Sequence, residues 1–164
     1  IISGICYLAQ DKNIITVIAT KDKDLYELLK YADVLIYDKH EYYSKEDAIK
    51  KFEVLPEQIG DYLSLVGDTS DNIPGVPGIG EKTAAKIIKE YHSIENAHDH
   101  IEEIKPARAK NNLQEYYEQA IMSKDLATIK KDCDISYDFK DAKIGTLFTK
   151  DAYQSSISSS VLKR

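Results

Sequence analysis

The chain has 164 residues, of which 43% are hydrophobic, and its formal net charge is −6. This length allows one hydrophobic core of ordinary size, and no apolar run is long enough to span a membrane, so we expect no membrane partner. The acidic balance argues against a protein that coats DNA non-specifically. Two distant cysteines, Cys6 and Cys133, and the absence of a signal peptide favour a reducing, cytoplasmic location.

The first third of the chain predicts an α/β arrangement. Residues 1–9 form an apolar run without a helix N-cap signal, so we predict a helix and expect the sequence to begin within a domain. Residues 14–20 are β-branched and apolar, which is typical of a buried parallel strand, and residues 32–37 predict the next strand. Asp22 and Asp24 follow the first strand at its carboxyl end, where open α/β sheets bind their ligands.

Beyond residue 43 the pattern becomes helical. Ser44 is the predicted N-cap of the first of these helices, and Pro106 begins a longer helix that we predict to reach about Leu126. The serine-rich end of the chain has the composition of a linker or a flexible tail. We therefore predict three segments: residues 1–43, 44–138 and 139–164.

A glycine-rich turn lies between two amphipathic helical patterns in the middle of the chain. Glycines allow a backbone to lie close to a ligand, and the first N–H groups of the following helix attract a phosphate. A plain helix–helix connection is the alternative, but the acids just before the turn and the lysine just after it favour a phosphate site. The predicted DNA-binding residues are Gly75, Val76, Gly78, Ile79, Gly80, Lys82 and Thr83.

Four carboxylates are candidate metal ligands and catalytic residues. Asp22 and Asp24 are separated by one residue, and Asp68 and Asp71 would share one face if their segment were helical. Clustered oxygen ligands suit Mg²⁺ or Mn²⁺, and two such ions about 4 Å apart support phosphodiester cleavage. Either pair alone is compatible with capping or turn acids. Together with the hairpin, the two pairs indicate metal binding.

The motifs of residues 67–75, 78–84 and 22–26 resemble the 5′-nuclease domain of bacterial DNA polymerase I. The resemblance implies the C-terminal part of a PIN-like (Rossmann-like) parallel-sheet nuclease domain. A helical DNA-binding region with a helix-hairpin-helix (helix-three-turn-helix) motif would follow it. It also implies that the four acids are metal ligands, that K⁺ binds in the hairpin turn, and that a further acidic cluster precedes Ile1.

The implied activity is that of a divalent-metal-dependent 5′-3′ exonuclease and flap endonuclease that removes primers and repairs DNA. Its substrate would be double-stranded DNA with a 5′ flap or a nick. The protein would be a monomer, and the parent protein could also contain a covalently linked polymerase domain. We expect residues 1–164 alone to bind DNA feebly and to cleave it poorly or not at all. The open alternative is a helix-hairpin-helix module without catalysis, which would not need the carboxylates of Asp22 and Asp24.

Overall fold

The computed structural model describes residues 1–130 and 135–141. The described residues up to 130 belong to one compact unit, and residues 135–141 belong to a second. Cys133 and nearly all of the predicted tail lie outside the described residues. The predicted segment boundaries at residues 43 and 138 therefore stay predictions.

A three-stranded mixed sheet lies in the first third of the chain, with the strand order β1 (Thr16–Ala19), β2 (Val34–Asp38) and β3 (Glu41–Tyr43). The parallel pairing of β1 with β2 confirms the two predicted strands. The third strand, antiparallel to β2, was not predicted. It follows a two-residue turn in which Lys39 and His40 both take positive φ, at 50° and 69°. Tight hairpins need this geometry, but their usual sequence signal is Asn-Gly, which is absent here.

Two helical segments accompany the sheet. Helix α1 (Ile2–Ala9) precedes β1, and a 3₁₀ helix, Asp24–Lys30, connects β1 to β2. The 3₁₀ helix buries Leu28 and Leu29 in the core, which fixes its position beneath the sheet. Because Asp24 is the first residue of this segment, the core packing also fixes one of the candidate metal ligands.

The remaining helices cover residues 45–127. Their bounds are α2 (Lys45–Phe52), α3 (Ile59–Val66), α4 (Glu81–Tyr91), α5 (Ile94–Asp99), α6 (Ala107–Glu115) and α7 (Tyr117–Ala127). These helices and the sheet confirm the predicted α/β class. None of the helices in the described part of the chain has the length and apolar character needed to cross a membrane.

The single helix predicted after Pro106 is wrong, because the structure has two helices there. Tyr116, with φ of −105° and ψ of 21°, ends α6, and α7 begins at the next residue. Helix α7 packs against α3, and the buried residues of α7 are small: Ala120, Ser123 and Ala127. Gly60 of α3 shows how close this packing is, since a Cβ there would lie 3.1 Å from the Thr128 hydroxyl oxygen.

A partly buried ion pair, in which Asp61 is the buried member, connects α3, α5 and α7. The Asp61 carboxylate accepts hydrogen bonds from the Ile94 backbone N–H at 2.9 Å and from the Lys124 ammonium at 2.8 Å. Lys124 also contacts Glu95 at 2.8 Å. Burial disfavours the Lys124 ammonium, but its bonds to Asp61 and Glu95 outweigh burial and raise its pKa. The pair orients the helices behind the hairpin.

Replacing Lys124 with Met should lower the free energy of unfolding by about 2 to 3 kcal/mol, because Asp61 would remain a buried charge without its cation. The matched control is Lys110→Met, whose partner Glu102 is 79% exposed on its side chain. That exposed pair should cost less than about 1 kcal/mol. Urea unfolding of both variants measures the difference, and equal losses would contradict the assigned role of Lys124.

Candidate metal centre and nucleic-acid interface

The turn after β1 positions Asp22 and Asp24. Thr20 accepts a hydrogen bond from the Asp22 backbone N–H at 3.1 Å, and the Asp22 carboxylate accepts one from the Asp24 N–H at 3.0 Å. The second bond is an Asx turn, which starts the 3₁₀ helix and fixes the spacing of the two acids. The sequence prediction that both acids lie at the carboxyl end of β1 is confirmed.

The second pair of acids lies in a tight turn rather than in a helix. Asp68 and Ile73 form an isolated antiparallel bridge, with N–H to carbonyl distances of 2.9 and 2.8 Å in the two directions. Asn72 takes a positive φ of 57° inside this loop. The segment is therefore not helical, so the shared face that a helix would give Asp68 and Asp71 does not arise, and the closed turn leaves Asp71 exposed.

Three of the four predicted acids meet at one place. Asp22, Asp24 and Asp71 each offer a carboxylate oxygen, and these oxygens all lie within 4.8 Å of one another. One Asp24 oxygen is buried and has no hydrogen-bond partner among the described residues. Burial, together with the charges of Asp22, Asp71 and Asp68, raises the pKa of Asp24 to about 6. A bound cation would relieve this repulsion and supply the missing partner.

The fourth acid, Asp68, lies beside this group but has both of its oxygens engaged. Lys23 donates to one oxygen at 2.8 Å, and the Ser70 backbone N–H donates to the other at 2.9 Å. The Ser70 hydroxyl also bonds to Asp68. The bonds from Lys23 and Ser70 hold the pKa of Asp68 below its usual range. The structure thus gives Lys23, which lies between Asp22 and Asp24 in the sequence, a specific partner.

The hairpin turn begins where two glycine backbones touch. Gly67 and Gly75 have positive φ values of 86° and 65°. A Cβ on Gly75 would lie 2.6 Å from the Val66 carbonyl oxygen, so no larger residue fits. This contact places the hairpin immediately after the turn that carries the acids.

The buried and exposed residues of the turn have different roles. Val76 and Ile79 are each 3% exposed, and their N–H groups donate internally, to Leu65 at 2.8 Å and to Val76 at 3.0 Å respectively. Thr83 also donates internally, to Gly80 at 3.0 Å. These three predicted DNA-binding residues therefore anchor the turn. Within the turn and the first residues of α4, the N–H groups with no internal acceptor among the described residues are those of Gly75, Gly78, Gly80, Glu81 and Lys82, and Gly75 is the buried one of these.

Two amide side chains that the sequence did not single out hold the turn from behind. Asn112 of α6 donates to the Pro77 carbonyl, and Gln119 of α7 donates to the Gly75 carbonyl at 2.7 Å. These partners are 35 and 44 residues apart in the chain. No local sequence pattern could have identified contacts of this range. The helical side thus engages carbonyls of the turn, while Gly78, Gly80, Glu81 and Lys82, whose N–H groups have no internal acceptor, are exposed and face outward.

Comparison with known proteins places these features in one family of proteins. Residues 54–150 match the family described as "5′-3′ exonuclease, C-terminal SAM fold". DNA polymerase I of Bacillus subtilis (strain 168) is 48% identical over 95 residues, which are 58% of this chain and 11% of that protein. The 5′-3′ exonuclease of Buchnera aphidicola subsp. Baizongia pistaciae (strain Bp) is 39% identical over 140 residues, or 81% of this chain and 46% of that protein. The chain thus spans less than half the length of these relatives.

Solved structures of bacteriophage T5 5′-exonuclease share the fold. One, with bound zinc, has a TM-score of 0.66 and 23% identity, and covers 77% of this chain and 48% of that chain. Another, a T5 flap endonuclease in a complex with DNA and metal ions, has a TM-score of 0.65 and 22% identity over 77% of this chain and 48% of that chain. These likenesses confirm the predicted fold.

The raised pKa of Asp24 predicts a specific pH dependence of stability in metal-free solution. Its usual value is 3.8 and its folded value is about 6, so the folded chain binds more protons between these values and loses stability as pH rises through them. At pH 7, Asp24→Asn should therefore be more stable than the unaltered chain. We expect about 1 kcal/mol, since solvent access reduces the roughly 3 kcal/mol that two pKa units represent.

Urea unfolding in EDTA at pH 4 and pH 7 measures this effect. The advantage of Asp24→Asn should be present at pH 7 and should vanish near pH 4, where the folded chain already carries a proton on Asp24. Asp99→Asn removes an exposed carboxylate outside the cluster and serves as the control. The same stability difference at both pH values would contradict the assigned repulsion.

Proposed function

The chain belongs to the 5′-3′ exonuclease family, and on that premise we propose that it is part of a divalent-metal-dependent 5′-3′ exonuclease and flap endonuclease that acts on DNA. The observation that carries the proposal is the convergence of Asp22, Asp24 and Asp71 directly before a hairpin with outward-facing N–H groups. The relatives named DNA polymerase I and 5′-3′ exonuclease support the same activity, as do the T5 enzymes with metal ions and DNA.

The acidic cluster fits a hard divalent cation. All of its donors are carboxylate oxygens, which Mg²⁺ and Mn²⁺ prefer. One Asp24 oxygen is buried without a hydrogen-bond partner among the described residues, and a cation would bind it. We propose Asp22, Asp24 and Asp71 as ligands. Asp68 would be the fourth, which requires one of its oxygens to exchange Lys23 for an ion. When bound, a pair of such ions activates a water and stabilises the leaving oxygen of a phosphodiester.

The hairpin would hold the DNA backbone. The N–H groups of Gly80, Glu81 and Lys82 begin α4, where the helix dipole favours a phosphate, and the Lys82 ammonium adds a charge. Contacts of this kind position a duplex without reading its bases. Because Asp71 lies in the closed turn that leads directly into the hairpin, this turn would fix the distance from the held phosphate to the cluster. That distance would select the bond to be cleaved next to a 5′ flap or a nick.

A K⁺ ion in the turn is part of the proposal, since the resemblance implies it. The carbonyls of Gly75, Val76 and Pro77 already accept hydrogen bonds, from Gln119, from the Ile79 N–H and from Asn112. No N–H of the described chain donates to the carbonyls of Gly78 and Ile79. These two oxygens are the candidates for K⁺.

A second candidate function is a helix-hairpin-helix module that binds DNA without cleaving it. The observation in its favour is the 2.8 Å ion pair between Lys23 and Asp68, which neutralises one predicted ligand without a metal. Metal binding distinguishes the two candidates, because a pure binding module does not need the cluster.

Asp71→Asn should weaken Mn²⁺ binding by roughly tenfold or more, because it removes one of three converging carboxylates. Asp99→Asn, which removes an equal charge from an exposed position outside the cluster, should leave Mn²⁺ affinity within about twofold of the unaltered chain. Isothermal titration of residues 1–164 measures both. Equal Mn²⁺ affinity for all three proteins would favour the non-catalytic module.

Gly80→Val should lower the affinity for a nicked DNA duplex by about tenfold or more, because a branched side chain would keep the phosphate from the N–H groups. Gly80 has a negative φ of −94° and no atom within 4 Å of a Cβ, so the variant should fold. Gly78 has a φ of 77°, and a substitution there would also strain the turn. The affinity of Gly80→Ala for the nicked duplex should lie between that of the unaltered chain and that of Gly80→Val. Undiminished binding by folded Gly80→Val would disprove the hairpin contact.

A further inference from the structure

An arginine of α6 lies against the exposed tip of the hairpin. A Cβ on Gly78 would lie 2.9 Å from the Arg108 Nε and 3.3 Å from its Cζ, so the guanidinium covers this glycine. Asn112, one helical turn further along α6, holds the same helix to the turn through the Pro77 carbonyl. The packing of α6 against the turn therefore places Arg108 beside the outward-facing N–H groups.

The Arg108 guanidinium, like the ammonium groups of Lys82, Lys86 and Lys105, has no ion-pair partner among the described residues, whereas other cations of the helical region are paired. Lys89 pairs with Glu53 at 3.1 Å, Lys110 pairs with Glu102, and Lys124 pairs with Asp61. Among the described residues, no carboxylate or hydrogen-bond acceptor contacts the Arg108 guanidinium, which is exposed. An uncompensated cation held beside the N–H groups of the hairpin adds to their attraction for an anion.

We propose that Arg108 is a DNA phosphate contact, and that α6 extends the interface beyond the hairpin. The proposal rests on the DNA-binding function proposed above. A guanidinium keeps its charge at any physiological pH and offers a fork of N–H donors that matches two phosphate oxygens. The duplex backbone then crosses both the start of α4, with Lys82, and the first turn of α6, with Arg108.

The competing explanation is that Arg108 only packs over Gly78 and protects the turn. The two explanations differ in one measurable respect. A phosphate contact releases a counterion, so removing it reduces the slope of log affinity against log salt by about one. A packing role would lower thermal stability and leave this slope unchanged.

The test compares Arg108→Gln, Arg108→Lys and the control Lys110→Gln in the chain of residues 1–164. Fluorescence anisotropy with a nicked duplex is measured across a sodium chloride series at constant potassium, so that K⁺ in the turn does not vary. Arg108→Gln should reduce the slope by about one and weaken binding about three- to tenfold at 0.1 M salt. Arg108→Lys should keep the slope. Lys110→Gln should behave like the unaltered chain, since its ammonium is paired with Glu102.

Each other outcome overturns the proposal. If the unaltered chain binds the duplex and Arg108→Gln has the same affinity and slope, the contact is absent while the hairpin function stands. A lower melting temperature for Arg108→Gln with an unchanged slope assigns Arg108 to packing alone. If the unaltered chain does not bind the duplex, both the proposed function and this contact are wrong.

Discussion

The candidate site depends on the place where the backbones of Gly67 and Gly75 touch. A Cβ on Gly75 would lie 2.6 Å from neighbouring backbone atoms, and a Cβ on Gly67 would lie 2.8 Å from the Ile73 carbonyl oxygen. With no side chain between them, the loop from Asp68 to Ile73 closes on itself, and the hairpin begins without a linker. One steric constraint therefore sets the position of Asp71 relative to the phosphate-binding N–H groups.

This arrangement places a region of positive electrostatic potential, at the hairpin, next to a region of negative potential, at the acids. The start of α4 with Lys82, together with Arg108 of α6, would attract a phosphate, whereas Asp22, Asp24 and Asp71 would repel it. Divalent cations on the acids would reverse the negative potential, so metal binding and DNA binding would support each other. The net charge of −6 is then consistent with a DNA-binding surface, because the acids count fully in the formal sum although bound ions would neutralise some of them.

The sequence predicted those parts of the molecule that have a local signal. The β-branched run before Asp22 predicts a strand, and the glycines of the hairpin predict a turn, each from a few neighbouring residues. The contacts missed were those between distant segments. Two examples are the pairing of Lys23 with Asp68 and the bond from Asn112 to the hairpin. Both depend on how distant segments pack, so no periodic sequence pattern predicts them. The break at Tyr116 was missed because apolar periodicity continues through it.

The central claim is that acids from two distant segments form one metal site beside the hairpin. Diffraction from crystals grown with Mn²⁺ and a nicked duplex, recorded at the manganese absorption edge, tests it directly. We expect an anomalous peak bound by Asp22, Asp24 and Asp71, with a DNA phosphate on the N–H groups of α4. An anomalous peak elsewhere, or a phosphate at the hairpin with no peak among these three carboxylates, would contradict it.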